Sequence, residues 1–149
     1  MKKFIGIIAL VITCCFVFAA CSPRTETTAE EFKTKAEAAG YTVTETKAVI
    51  NTAMSSMTAE KNGYEIIFTD FISSFNDAKS AFNEYYSIFH LKNGSYTSVT
   101  GVLNYDYYKI TSDGKYYVVS RISATLVLIY GAQSSYKKEI DAFLKQIGY

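Results

Sequence analysis

The sequence has 149 residues, of which 49% are hydrophobic and 15% aromatic, and its formal net charge is +1. A chain of this length is typical of a single domain, and its high apolar content with few charges excludes intrinsic disorder. Because the net charge is close to zero, the chain has no large excess of positive charge to attract a polyanion. The composition therefore argues against nucleic-acid binding.

The first twenty residues are organised as a secretion signal. A positive start, MKK, precedes an apolar run from Phe4 to Phe18, and two alanines follow as the small residues that a signal peptidase needs before its cut. The apolar stretch of 17 residues up to Ala20 is at the short limit for a bilayer core of about 30 Å. The sequence therefore predicts that residues 1–20 are removed, with a permanent membrane helix as the less favoured alternative.

The residues at this predicted cut, Phe18-Ala19-Ala20-Cys21, resemble the lipobox of bacterial lipoprotein signals, with Phe18 in place of the usual aliphatic residue. The resemblance implies that the Cys21 thiol carries diacylglycerol and that cleavage makes Cys21 the new N-terminus. Two or three acyl chains anchor a protein stably, whereas a single chain holds it only marginally. The predicted location is the extracytoplasmic face of the cell membrane. An ordinary secretory signal with a chance cysteine is the alternative.

The predicted mature chain has Cys21 as its one cysteine, because Cys14 and Cys15 lie in the signal. This excludes a disulfide, a thiolate metal site and a cysteine nucleophile within the mature chain. Loss of the two signal lysines leaves 13 basic and 14 acidic side chains, a balance of −1. Residues 21–27 are predicted to form a short tether, and residues 28–149 a single extracytoplasmic domain.

Capping signals and turn dipeptides predict an alternation of helices and strands. Three helices are expected, which begin at the capping box Thr28–Glu31, at Ser74 and near Ser134, and end near Gly40, Gly94 and Gly148. Tight reversals between strands are expected at Asn62-Gly63, Asp113-Gly114 and Ser123-Ala124, while the segment Ala48–Ser55 is ambiguous. The predicted fold class is therefore α+β, a mainly antiparallel sheet of about six or seven strands with the helices packed on one face in two layers.

No catalytic constellation is found in the sequence. His90 is the one histidine, and it has no partners at a spacing typical of a triad or a zinc site, so it is interpreted as structural. The carboxylates on or beside strands, among them Glu65, Asp70, Asp106 and Asp113, are scattered, and nothing pairs two of them as a glycosidase requires. No catalytic residue, cofactor or metal is predicted, and a non-catalytic protein is favoured over an enzyme.

Arg121 lies in KYYVVSRI, which is apolar on both strand faces and is therefore expected to be a central strand. An arginine there is predicted to form a salt bridge to Glu65 or Asp70 across the sheet, or to bind an anionic ligand.

Tyrosine is abundant, with 13 residues in the chain. If the alternation holds, Tyr105 and Tyr107 share a face, and Tyr117 on the neighbouring strand joins them. Phenol rings with a polar tip suit sugar or peptide binding, although they also pack well within sheets. The predicted ligand face is therefore Tyr105, Tyr107, Tyr117 and Arg121.

Four segments make the mature chain similar to small, uncharacterised surface lipoproteins of low-GC Gram-positive bacteria: TAEEFKTKAEAAGYTV, NDAKSAFNEY, GKYYVVSRISATL and IDAFLKQIGY. The resemblance implies a compact extracytoplasmic domain and brings no activity or site residues with it.

The predicted function is a lipid-anchored, non-catalytic domain of the cell envelope that binds a small ligand or another envelope protein. Two alternatives stay open. An envelope hydrolase would have two carboxylates that face each other across a cleft. A structural or accessory subunit of an envelope complex would present tyrosine-rich strands at an open sheet edge.

Replacement of Cys21 by serine tests the predicted anchor. Serine has no thiol to carry diacylglycerol, so we expect Cys21→Ser to abolish lipid labelling and to release the protein from the membrane fraction. Growth with a labelled fatty acid followed by gel analysis of the protein measures both. Acyl chains that still attach to the variant would show that the lipobox interpretation is wrong.

Overall fold

A computed structural model describes residues 23–47, 55–72 and 74–149 of the chain. The predicted signal with Cys21, and residues 48–54 of the ambiguous segment, lie outside the described residues. None of the helices in the described ranges is both long enough and apolar enough to cross a membrane.

The described residues form three helices and one sheet of seven strands. The helices are α1 (Ala29–Ala38), α2 (Phe75–His90) and α3 (Lys137–Gln146), and α3 is preceded by a single 3-10 turn, Ser134–Tyr136. The strands are β1 (Thr42–Lys47), β2 (Ser55–Lys61), β3 (Tyr64–Asp70), β4 (Ser95–Val102), β5 (Tyr105–Ser112), β6 (Lys115–Ile122) and β7 (Thr125–Gln133). All neighbours are antiparallel, in the order β1-β2-β3-β7-β6-β5-β4, which confirms the predicted α+β class.

Local signals set the starts of the first two helices as the sequence predicts. Thr28 Oγ1 accepts a hydrogen bond from the Glu31 N–H at 3.2 Å, and the Glu31 carboxylate accepts one from the Thr28 N–H at 3.2 Å. Ser74 Oγ accepts from the Asp77 N–H at 3.4 Å at the start of α2. These bonds satisfy backbone donors that have no partner inside the helix.

One face of the sheet, called here the first face, is covered by α1 and α3. Phe32 of α1 stacks on Phe68 of β3 with ring centroids 4.8 Å apart, and Phe143 of α3 meets Phe32 edge-on at 6.0 Å. Even-numbered residues of β6, such as Val118 and Ile122, belong to the same buried core.

The opposite face, the second face, is covered by α2. Phe82 and Phe89 of α2 form a separate core with Tyr108, Val119 and Leu128 from β5, β6 and β7. The helices therefore lie on both faces, and the predicted two-layer packing on one face is wrong. The cause is the composition of β6 and β7, which are apolar on both faces and need cover on each.

The predicted tether is part of the folded domain from Arg24 onwards. The Arg24 N–H donates to Asn104 Oδ1 at 3.0 Å, and Asn104 Nδ2 donates to the Arg24 carbonyl at 2.7 Å. The Thr27 hydroxyl donates to the Ile147 carbonyl at 2.6 Å. These bonds hold residues 24–27 against the β4–β5 turn and the end of α3, so these four residues belong to the folded domain.

Gly94 lies just before β4, where the chain comes against the backbone of β5. A Cβ at Gly94 would lie 2.1 Å from the Thr111 carbonyl oxygen, a distance that only a shift of the backbone can relieve. We expect Gly94→Ala to destabilise the fold by about 3 kcal/mol, because the β4–β5 pair must separate. Urea unfolding of the purified protein measures the loss.

Gly63 in the β2–β3 turn is the matched control. Its φ is +75°, but no atom lies within 4 Å of a Cβ built there. Gly63→Ala should cost only the backbone strain of about 1–2 kcal/mol. Equal losses for the two variants would contradict the close approach at Gly94.

Candidate functional site

The four residues of the predicted ligand face lie on opposite faces of the sheet. The β5–β6 register pairs Tyr105 and Tyr107 with even-numbered residues of β6, whose side chains belong to the first face. Tyr117 and Arg121 are odd-numbered residues of β6 and lie on the second face, with α2. The prediction that Tyr117 joins the other two tyrosines is wrong, because a difference of one residue in register moves a side chain to the other face.

Arg121 is buried in an ion pair. Its Nε and Nη2 donate to Asp106 Oδ2 at 2.9 and 2.6 Å, and both side chains are at most 1% exposed. The predicted salt bridge therefore forms, but its acid is Asp106 on the adjacent strand instead of Glu65 or Asp70.

Asp106 accepts two further hydrogen bonds. Lys79 Nζ of α2 donates to Oδ2 at 2.8 Å, and the Gly101 N–H of β4 donates to Oδ1 at 2.6 Å. Burial by itself raises the pKa of Asp106, but the donors from Lys79, Gly101 and Arg121 together hold that pKa below its ordinary 3.8. Both carboxylate oxygens already accept hydrogen bonds from within the protein, so this cluster has a structural role and does not present a group to a ligand.

An open groove lies on the first face beside β4 and β5. Its volume is about 250 Å³. We call it the basic groove, and its lining residues are Arg24, Thr97, Tyr107, Lys109, Lys137, Asp141 and Tyr149. Of the predicted ligand face, Tyr107 lines this groove and Tyr105 adjoins it, whereas Tyr117 and Arg121 take no part.

Asp141 of α3 holds two lysines at the wall of the basic groove. Lys109 Nζ and Lys137 Nζ donate to its carboxylate at 3.2 and 2.6 Å, and the Tyr116 hydroxyl donates at 2.7 Å. Burial raises the pKa of Asp141, but these three donors outweigh it and lower the pKa below 3.8. The ionised carboxylate thus keeps two ammonium groups close together.

Arg24 brings a third positive charge to the basic groove. Its guanidinium lies over the Tyr105 ring, with Cζ 4.3 Å from the ring centroid. Asp141 has the one acidic side chain among the lining residues, so the three cationic side chains exceed the acidic one by two charges. Together with the Thr97 and Tyr107 hydroxyls, they can bind an anionic group by charge-assisted hydrogen bonds.

The cations of the basic groove were missed at the sequence level. The sequence did contain a signal for Lys109. Tyr105, Tyr107 and Lys109 are alternate residues of one strand, so their side chains share a face. No local pattern connects Arg24 and Lys137 with β5, since they come from the N-terminal segment and from α3.

A second cavity, of about 260 Å³, lies beside the β2–β3 turn and includes Glu60, Glu65 and Tyr130. The two glutamates are direct cross-strand partners, and both are exposed. They stand side by side on one face of the sheet, whereas the hydrolase alternative requires two carboxylates that face each other across a cleft.

His90 is exposed at the end of α2, where its ring stacks on Tyr86 at 5.4 Å. Tyr86 in turn meets Tyr108 edge-on at 5.2 Å, so His90 extends an aromatic surface on the second face. Among the described residues, no group of three or more His, Cys, Asp and Glu side chains is placed to hold a metal ion.

The chain matches no protein family, no curated protein and no solved structure at a significant level. The chemistry of the basic groove and its surroundings is therefore the guide to function.

Replacement of Asp106 by asparagine tests the buried network. Asp106→Asn leaves Arg121 buried without a counter-charge, which costs about 3–5 kcal/mol of unfolding free energy. The control is Lys79→Met, because the Lys79 side chain is 33% exposed and its loss leaves the Arg121–Asp106 pair intact. We expect that control to cost about 1 kcal/mol, measured by urea unfolding of both variants.

The lowered pKa of Asp106 also predicts a pH dependence. The folded state prefers the ionised carboxylate, so this contribution to stability is present above about pH 4 and is lost as the pH falls through the folded-state pKa. Asp106→Asn should therefore reduce the loss of stability that wild type shows between about pH 4 and pH 2. Thermal melts across this range measure it, and identical pH profiles for the two proteins would contradict the role of Asp106.

Proposed function

We propose that this protein is a lipid-anchored, extracytoplasmic domain that binds its ligand without catalysis, and that the basic groove holds an anionic group of that ligand. The observation that carries the proposal is the convergence of Arg24, Lys109 and Lys137 on one open groove with a single carboxylate. A carboxylate or a phosphate on a small molecule or a protein satisfies this chemistry.

Non-catalytic binding is supported by the state of the one acid in the groove. Asp141 is engaged by Lys109, Lys137 and Tyr116. Its lowered pKa keeps the carboxylate ionised and paired, so it is poorly suited to donate or accept a proton in a reaction.

The proposed anchor and the basic groove are close in the chain. Arg24 follows Cys21 by three residues, a span that reaches at most about 11 Å when fully extended. Since Arg24 is fixed to Asn104, an anchor at Cys21 would hold the groove near the membrane surface. A ligand that is itself part of the envelope suits this position.

A structural or accessory subunit of an envelope complex is the second candidate function. It is favoured by β4, whose exposed residues form one edge of the sheet. The two candidates are compatible if the ligand of the groove is a protein.

Titration with small anions tests the basic groove. We expect glutarate, a dicarboxylate, to bind the full-length protein in uncharged detergent with a dissociation constant near 1 mM, which corresponds to about −4 kcal/mol. Arg24→Gln and Lys109→Gln should each weaken binding about tenfold, because each removes a charge-assisted hydrogen bond. Chemical shifts of the groove residues measure the binding.

The matched control is Lys138→Gln. It removes the same charge one residue beyond Lys137, and Lys138 does not line the groove. An equal loss of affinity in this variant would mean that net charge, and not the groove, attracts the anion, and the proposal would fail.

A further inference from the structure

β4 is an edge strand whose first five residues, Ser95–Val99, lack the usual protection of such strands. Its sequence, SYTSVTGV, contains no charged residue and no proline, and six of its eight residues are exposed. In the described ranges no strand pairs with its outer edge. Natural edges are normally blocked by lysine, proline, bulges or a covering segment, because exposed N–H and C=O groups pair with other chains.

The other edge of the sheet, strand β1, has the protection that Ser95–Val99 of β4 lacks. β1 has the sequence TVTETK, which carries two charged residues, and α1 lies against it. In β4 the one irregularity of register lies between Val99 and Val102, so Ser95–Val99 is a regular, uncharged stretch of five residues. This stretch is long enough for several main-chain hydrogen bonds with an added strand.

The two faces of β4 have different chemistry. On the first face, Thr97 pairs with Lys109 and Val99 pairs with Tyr107, so this side borders the basic groove. On the second face, the Tyr96 side chain is 58% exposed. Its ring stacks on Tyr108 at 5.5 Å and extends the aromatic surface that includes His90.

We propose that β4 accepts an extended strand of a partner protein in which acidic residues alternate with apolar ones. Side chains of an added strand point alternately to the two faces, and the main chain supplies affinity while the side chains supply specificity. Aspartate or glutamate on the first face meets the basic groove, and apolar residues on the second face lie beside Tyr96. This inference rests on the proposed function, since these carboxylates are the anionic groups that the groove holds.

A second copy of the chain is a competing occupant that charge disfavours. Antiparallel pairing of two β4 strands about an axis perpendicular to the sheet keeps both first faces on the same side. The cations Arg24 and Lys109 of the two copies then approach each other, and β4 has no acidic residue to offset them. Like charges across an interface oppose association, whereas an acidic strand is attracted.

Three labelled peptides test the proposal on the full-length protein in uncharged detergent. They are Val-Glu-Val-Glu-Val-Glu-Val, the same peptide with lysine for each glutamate, and the acidic peptide with proline at its centre. Proline removes an N–H and fixes φ, so it interrupts a strand and leaves most of the charge. We expect the acidic peptide to bind at least tenfold more tightly than the other two by fluorescence anisotropy. It should also slow amide exchange in Ser95–Val99.

Charge reversal on β4 gives the sharper test. Thr97→Glu should weaken binding of the acidic peptide about tenfold and should strengthen binding of the lysine peptide, because the first face of β4 becomes acidic. The matched control is Thr44→Glu, the same change at an exposed position of β1, and it should leave both affinities unchanged. Amide exchange in β6 and β7 verifies that each variant is folded.

Two results would overturn the strand proposal. One is equal binding of the acidic and proline peptides, and the other is a β4–β4 dimer, detected by sedimentation, that the acidic peptide does not dissociate. If either occurs while glutarate still binds the groove, the proposed function stands and only the role of β4 is wrong. If glutarate also fails to bind, the proposed function fails as well.

Discussion

The buried carboxylate of Asp106 is the contact on which the outer half of the sheet depends. It joins β5 to β6 through Arg121, to α2 through Lys79 and to β4 through the Gly101 N–H. A buried ion pair adds little net stability, because desolvation of both charges offsets their attraction. The Asp106 network nevertheless specifies the strand register, because its three donors reach Asp106 together in only one alignment of the strands. The network thus adds a side-chain connection to β4, beside the β4–β5 ladder and the packing of Val99 and Val102 against the core.

Placement of β4 matters because this strand separates two surfaces of opposite character. The basic groove on one side depends on Asp141, which keeps Lys109 and Lys137 together, and on Asn104, which holds Arg24 in place. The aromatic surface on the other side is built on α2, which the Asp106 network also positions. A single extended strand added at β4 would contact both surfaces, so the proposed binding function joins the groove and the open edge in one region.

The fold could be predicted in its elements but not in its layers. The capping box at Thr28, the Asn62-Gly63 turn and the helix start at Ser74 are local signals, and each led to the element that the structure contains. The face on which a helix packs is not local, because it depends on which strands become neighbours. The apolar character of β6 on both sides is visible in the sequence, and it requires cover on both faces, but it does not show which helix covers which face.

For the candidate site, the sequence by itself predicted that Tyr105 and Tyr107 share a face and that Arg121 lies on a central strand. Only the tertiary structure decided that Arg121 forms a buried ion pair with Asp106 and that Tyr117 belongs to the opposite face. It also brought Arg24, Lys109 and Lys137 to one groove from three distant parts of the chain. The physical reason is that side-chain alternation is a property of one strand, whereas the register between strands and the docking of termini are set by the packing of the whole domain.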